Sequence, residues 1–165
     1  MRRWWLWAGL LGLALVLAAC GGSGPTTRAT AQDDRPDTEP PTVVVYKSPT
    51  CGCCGAWANQ MRMAGFRVQE KPVQNLMQVK QEHGVPQALL SCHTAVVEGY
   101  VIEGHVPPEQ VQRLLDERPE GVVGLAVPGM PVGSPGMEAP GRGVEPYSVL
   151  AFDGQGNTEV YATYP

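Results

Sequence analysis

Three thiols stand within four residues, at Cys51-Gly52-Cys53-Cys54, directly after the β-branched run Thr42-Val43-Val44-Val45-Tyr46. That run is long enough for a strand buried on both faces, which favours the interior of a sheet. After the thiols, Trp57, Met61 and Ala64 recur at helical spacing and Gly65 can cap in the left-handed region, which predicts a helix from about Cys54 to Ala64. Any fold this chain adopts must therefore present its thiols at a strand-to-helix turn. On one regular helix Cys53 would point roughly opposite Cys51, because successive residues rotate by about 100°. Convergence requires Cys51 to stay in the loop, with Gly52 supplying the bend and Cys53 and Cys54 in the first helical turn. A helix N-terminus lowers thiol pKa values by favouring thiolate.

The remaining elements follow from pattern and punctuation. Phe66 to Val73 reads as a second strand, followed by a short helix that Asn75 can cap, with Gln78 three residues on and Gly84 at its end. Thr94-Ala95-Val96-Val97 and Tyr100-Val101-Ile102-Glu103 flank Glu98-Gly99 as a hairpin. Pro107-Pro108 opens a third helix with Val111, Leu114 and Leu115 on its apolar face, and Pro119 stops it. Residues 128–146 hold ten glycines or prolines among nineteen, together with Met130 and Met137, and read as a loop. Tyr147–Phe152 and Glu159–Thr163 close the chain as a second hairpin. The order β-α-β-α-β-β-α, with a cysteine pair at the first strand-to-helix turn, is the α/β thioredoxin-like arrangement: a central mixed sheet flanked by helices, here with a C-terminal Gly/Pro/Met loop and hairpin.

The N-terminus sets the compartment. Met1-Arg2-Arg3, an apolar stretch from Trp4 to Leu17, and Leu17-Ala18-Ala19-Cys20 read as an export signal over residues 1–19. The form resembles a bacterial lipoprotein signal, with Cys20 lipidated at the mature N-terminus. That places the protein in the bacterial cell envelope, on the periplasmic side, tethered to a membrane. Residues 20–41 carry too little apolar surface for a core and read as a flexible tether, leaving 42–165 as the folded domain. Loss of Arg2 and Arg3 leaves 10 basic against 16 acidic residues, which argues against nucleic acid as a partner.

With Cys20 assigned to the anchor, Cys51, Cys53, Cys54 and Cys92 remain. Four thiols in an oxidising compartment make two disulfides or one metal site. In the redox reading, Cys51 attacks and Cys54 resolves; the extra thiol of Cys53 competes for any mixed disulfide. In the metal reading all three clustered thiols serve, because a soft cation such as Cu(I) neutralises thiolates that otherwise repel one another. Zinc is the rival metal and would make the site structural. Register brings in the fourth cysteine: with Glu98-Gly99 as the turn, Cys92 falls opposite His105. In thioredoxin-like folds the start of such a hairpin faces the cysteine turn, so the resemblance to that arrangement implies that Cys92 and His93 approach Cys51 to Cys54; Pro86 competes for that place and would there be a cis proline.

Cys51-Gly-Cys-Cys54, Ser91-Cys92-His93-Thr94-Ala95-Val96-Val97, Gly99-Tyr-Val-Ile-Glu-Gly-His105-Val-Pro107 and Val127-Pro-Gly-Met130-Pro-Val-Gly-Ser-Pro-Gly-Met137-Glu138 together resemble the CopG-like family of periplasmic copper-handling proteins. The resemblance spans about residues 42–163. It implies a thioredoxin-like fold that binds copper and contributes to copper resistance, with envelope copper exporters or copper oxidases as partners, and its thiols map onto Cys51, Cys53, Cys54 and Cys92. The anchor at Cys20 departs from the family's free periplasmic diffusion.

Secondary ligand candidates are His105, His93, Met130 and Met137, the methionines on a loop able to fold over the thiols. Each also has a bland role, as a hydrogen-bonded histidine or an apolar plug. Met61 belongs with Trp57 in the core, His83 with the end of its helix, and Glu103 reads as a solvated strand residue. The expected function is a binding protein that sequesters or passes Cu(I), one or more ions at a time. The alternatives are a thiol-disulfide oxidoreductase and a zinc-stabilised domain.

Overall fold

A parallel strand pair joined through a helix requires a crossover, and the first forty described residues build one. The computed structural model describes residues 39–165. The expected signal peptide, Cys20 and most of the expected tether lie outside the described residues. Strand β1 (Thr42–Lys47) leads into helix α1 (Gly52–Met63), and β2 (Arg67–Pro72) returns parallel to β1. Gly65 carries the left-handed cap expected of it, at φ 96°. Helix α2 (Leu76–Glu82) starts where the Asn75 side chain accepts from the Gln78 N–H. The Gln78 side chain bonds Glu82 instead of returning to the cap.

A short 3-10 turn (Gln87–Leu89) precedes β3 (His93–Val97) and β4 (Tyr100–Glu103), whose register pairs Thr94 with Glu103 and Val97 with Tyr100 as the Glu98-Gly99 turn requires. Both turn residues have positive φ, 46° and 89°, the geometry of a two-residue hairpin turn that follows strand twist. Helix α3 (Pro108–Glu117) buries Val111, Leu114 and Leu115 and ends on Arg118.

Two further strands, β6 (Tyr147–Asp153) and β7 (Thr158–Tyr164), form the expected terminal hairpin. Sequence patterning overlooked β5 (Val122–Ala126), which runs parallel to β4 and joins that hairpin to the rest. Gly124 weakens its strand signal, yet only glycine fits there: a Cβ would overlap the Val101 carbonyl oxygen and the Phe152 ring. The result is one seven-stranded mixed sheet in the order β2-β1-β3-β4-β5-β6-β7.

Strand alternation then divides the side chains between the sheet's faces. Val43, Val45, Ala95, Val97 and Ile102 pack with Trp57 and Met61 of α1 and with the α3 stripe. Val101 packs on the opposite side with Leu89, Ala126 and Phe152. The expectation of a first strand buried on both faces is thus half met: Val43, Val45 and Lys47 are buried, whereas Thr42, Val44 and Tyr46 are only partly covered. The same parity puts His93 on the face of α1, and Thr94 and Glu103 on the face of α2.

Candidate metal centre

Cys51 is the N-cap of α1, with extended backbone at φ −73° and ψ 103°, and its Sγ accepts from the Cys54 N–H at 3.4 Å. The bend assigned to Gly52 therefore sits at Cys51. Gly52 is already helical, so α1 starts two residues earlier than its periodicity indicates. Cys53 and Cys54 occupy the first turn, and no acidic side chain stands there to oppose thiolate. Lys47, buried at the end of β1, reaches the Cys51 carbonyl at 3.4 Å and pairs with Glu70 at 3.7 Å.

Cys92 arrives from the other side of the sheet order, just before β3. Its Sγ lies 3.6 Å from Cys54 Sγ, and Cys51 Sγ lies 3.4 Å from Cys53 Sγ. All four sulfurs fall within 4.8 Å of one another. Cys51 and Cys54 are joined as a disulfide, leaving Cys53 and Cys92 as free thiols. Pro86 takes no part in facing the cysteines; it lies against the Gly156 turn between β6 and β7.

The hairpin register that sets Cys92 opposite His105 corresponds to a contact of 2.8 Å between Cys92 Sγ and His105 Nε2. His105 Nδ1 lies 2.7 Å from the Pro135 carbonyl oxygen. A carbonyl only accepts, so Nδ1 carries the proton and Nε2 turns its lone pair toward Cys92. His93 Nδ1 is 3.4 Å from the same sulfur, and its ring packs on Trp57 at 4.5 Å and edge-on against His105 at 5.1 Å. His93 is fully buried and its Nε2 has no hydrogen-bond partner.

Burial dominates the electrostatics. It pushes the Cys92 thiol up to about 12, with Cys53 adding to the effect. It also holds His105 below the ordinary histidine range, against the opposing pull of the Pro135 carbonyl and Glu138. His93 is held well below that range by burial first, and a proton there would also be opposed by the Lys80 and Lys47 charges and by any proton added to His105. Both imidazoles are thus neutral, the form in which they can bind a cation. The Cys92 thiol, reluctant to ionise alone, becomes a thiolate when a cation supplies the countercharge.

The Gly/Pro/Met loop covers the site. Gly136, at φ 85°, approaches α1 so closely that a Cβ would stand 2.7 Å from the Trp57 nitrogen and 2.8 Å from the Cys53 carbonyl oxygen. Ser134 is fully buried, and Glu138 accepts from Gln60 at 2.7 Å. Met130 is half exposed and Met137 partly buried. Met130 follows Gly129, whose carbonyl accepts from the Ser91 hydroxyl, and so borders the segment that carries Cys92.

Sequence reasoning misread Glu103. It is fully buried, 2.5 Å from Lys80 Nζ, and accepts from the Thr94 hydroxyl and the Ser91 N–H, each at 2.7 Å. The signal was available in the register, which pairs Thr94 directly with Glu103. A lysine one helix earlier could then have been sought as its partner.

Residues 89–137 match the family model described as "Protein of unknown function, DUF411". No curated protein matches the chain. Two solved structures, described as copper resistance protein CopG, Form 2 and Form 1, are each 40% identical with a TM-score of 0.72. Each covers 77% of this chain, which in turn spans 100% and 99% of theirs. At that identity and coverage, the chain belongs to the CopG-like family of copper-handling proteins.

Proposed function

We propose that the protein is an envelope copper-binding protein that holds Cu(I) through Cys51, Cys53, Cys54 and Cys92, buffering it or passing it to copper exporters or oxidases. The observation that carries this reading is the convergence of four sulfurs within 4.8 Å from two separate elements. Soft thiolate donors select Cu(I) over harder cations. The site takes metal only after the Cys51–Cys54 disulfide is reduced, since both sulfurs are otherwise committed to each other. His105 Nε2 and His93 Nδ1 give the cluster nitrogen donors at its Cys92 edge. Met130 and Met137 supply thioethers on the covering loop.

The strand order β2-β1-β3-β4, with the thiols at the β1-to-α1 turn, supports a thioredoxin-like reading of the first four strands. The lipoprotein-type signal supports a tether through Cys20 on the periplasmic side of a membrane.

Titrating the reduced protein anaerobically with Cu(I) and with Zn(II), each against a competing chelator, tests the reading. Cu(I) affinity should exceed that for zinc and drop by at least about tenfold in Cys53→Ser; unchanged affinity in that variant overturns it. The disulfide favours a second reading, a thiol-disulfide oxidoreductase in which Cys51 attacks and Cys54 resolves. Such an enzyme keeps its exchange activity in Cys53→Ser and loses it in Cys51→Ser.

A further inference from the structure

A charged pair in a sheet core is costly to desolvate, and an apolar pair of the same volume would serve packing at least as well. Lys80 and Glu103 nevertheless sit fully enclosed between α2 and the β3–β4 hairpin. Lys80 Nζ donates to Glu103 Oε1 at 2.5 Å and to the Thr94 hydroxyl at 3.1 Å, and that hydroxyl donates to Glu103 Oε2 at 2.7 Å. A third bond reaches the main chain, where Glu103 Oε1 accepts from the Ser91 N–H at 2.7 Å.

Ser91 immediately precedes Cys92 and is pinned from the opposite side as well. It bridges to Gly129, and its hydroxyl donates to the Gly129 carbonyl. Gly104, at φ 73°, lets the chain pass there; a Cβ would run into the Ser91 side chain and the Val127 carbonyl oxygen. Glu103 thus lies one peptide unit from a cysteine whose sulfur stands 3.6 Å from Cys54 and 2.8 Å from His105.

We propose that Glu103, held by Lys80 and Thr94, is the positioning residue that fixes the Ser91–Cys92 backbone and so keeps the Cys92 sulfur at the copper-binding cluster. This rests on the reading of Cys92 as a copper ligand. Residues that orient metal ligands change affinity by about 10- to 100-fold when altered, without touching the ion. Among the described residues, Glu103 belongs to neither group of converging side chains that could hold a metal.

The test is a double-mutant cycle on the reduced protein, read as Cu(I) affinity by chelator competition. The pair K80M/E103L removes both charges together and leaves the Ser91 N–H without its acceptor. It should weaken Cu(I) binding about tenfold when Cys92 is present and less than about twofold in the Cys92→Ser background. The pair K80M/E103Q retains an oxygen for Ser91 and should recover affinity to within about threefold of the parent. Thr94→Val, a near-isosteric change, should weaken binding about threefold, again only with Cys92 present, and decides the matter if K80M/E103L does not fold. Equal losses in both backgrounds, or no loss in a folded variant, overturn the proposal while leaving the copper reading standing. Unchanged affinity in Cys92→Ser alone overturns both.

Discussion

Gly136→Ala tests whether the covering loop is truly seated on the thiol helix. Two penalties follow from its geometry. An alanine at φ 85° costs about 1–2 kcal/mol in the left-handed region. Its Cβ would stand 2.7 Å from the Trp57 nitrogen and 2.8 Å from the Cys53 carbonyl oxygen, an overpacking cost of about 1–3 kcal/mol. Against this, the loop is tied to the domain by His105 to Pro135 and by Gln60 to Glu138, at about 1 kcal/mol net for each bond. Strain therefore exceeds anchoring, and the loop should lift before α1 deforms. The measured loss is then capped near 2 kcal/mol, a fall in Tm of roughly 5–10 °C for a domain of this size. Gly141→Ala is the control, because Gly141 has φ 78° but nothing within 4 Å of its would-be Cβ. Calorimetry and alkylation of Cys53 in the reduced protein read the outcome: Gly136→Ala should be the less stable of the two and should react faster at Cys53. If both alanines cost the same and Cys53 reactivity does not change, the loop is not seated as described.

Other perturbations reach different parts of the account. Lys80→Met strands the buried Glu103 carboxylate and should cost about 3–5 kcal/mol in urea unfolding, most of it regained in K80M/E103L; a loss below about 1 kcal/mol would mean the pair is solvated. His93 and His105 stay neutral when folded but take up protons near pH 6.5 when unfolded. The unfolded chain then binds more protons, so stability should decline as pH falls below about 6.5, a window above the carboxylate range. Denaturation midpoints that stay flat between about pH 7.5 and pH 5.5 contradict this. Mass spectrometry of the protein extracted from the membranes of its native cells should find Cys20 as the first residue with acyl chains attached; an unacylated Cys20 rules out the lipid tether.

Much of the site could be read before any coordinates, because its parts obey short-range rules. A two-residue turn at Glu98-Gly99 fixes pairing by parity, and that alone put Cys92 beside His105. The capping positions of Gly65 and Asn75, and the apolar stripe of α3, follow from equally local chemistry. What escaped depended on distant partners. Strand β5 is short and broken by a glycine whose reason is Phe152, far along the chain. Glu103 looks like any hairpin acid until Lys80 is brought over it by the α2 crossover. Glycine is the permissive residue and so attracts the bend to Gly52 in the sequence, yet an ordinary extended conformation at Cys51 performs the same turn.

The central claim is that copper is held by the four converging sulfurs, and X-ray absorption at the copper edge addresses it most directly. The reduced protein, loaded anaerobically with Cu(I) and freed of excess metal, should show a sulfur-dominated shell in which nitrogen is at most a minor component. In Cys53→Ser the sulfur count should fall. A shell dominated by nitrogen or oxygen, or one that is unchanged by loss of Cys53, would contradict the account.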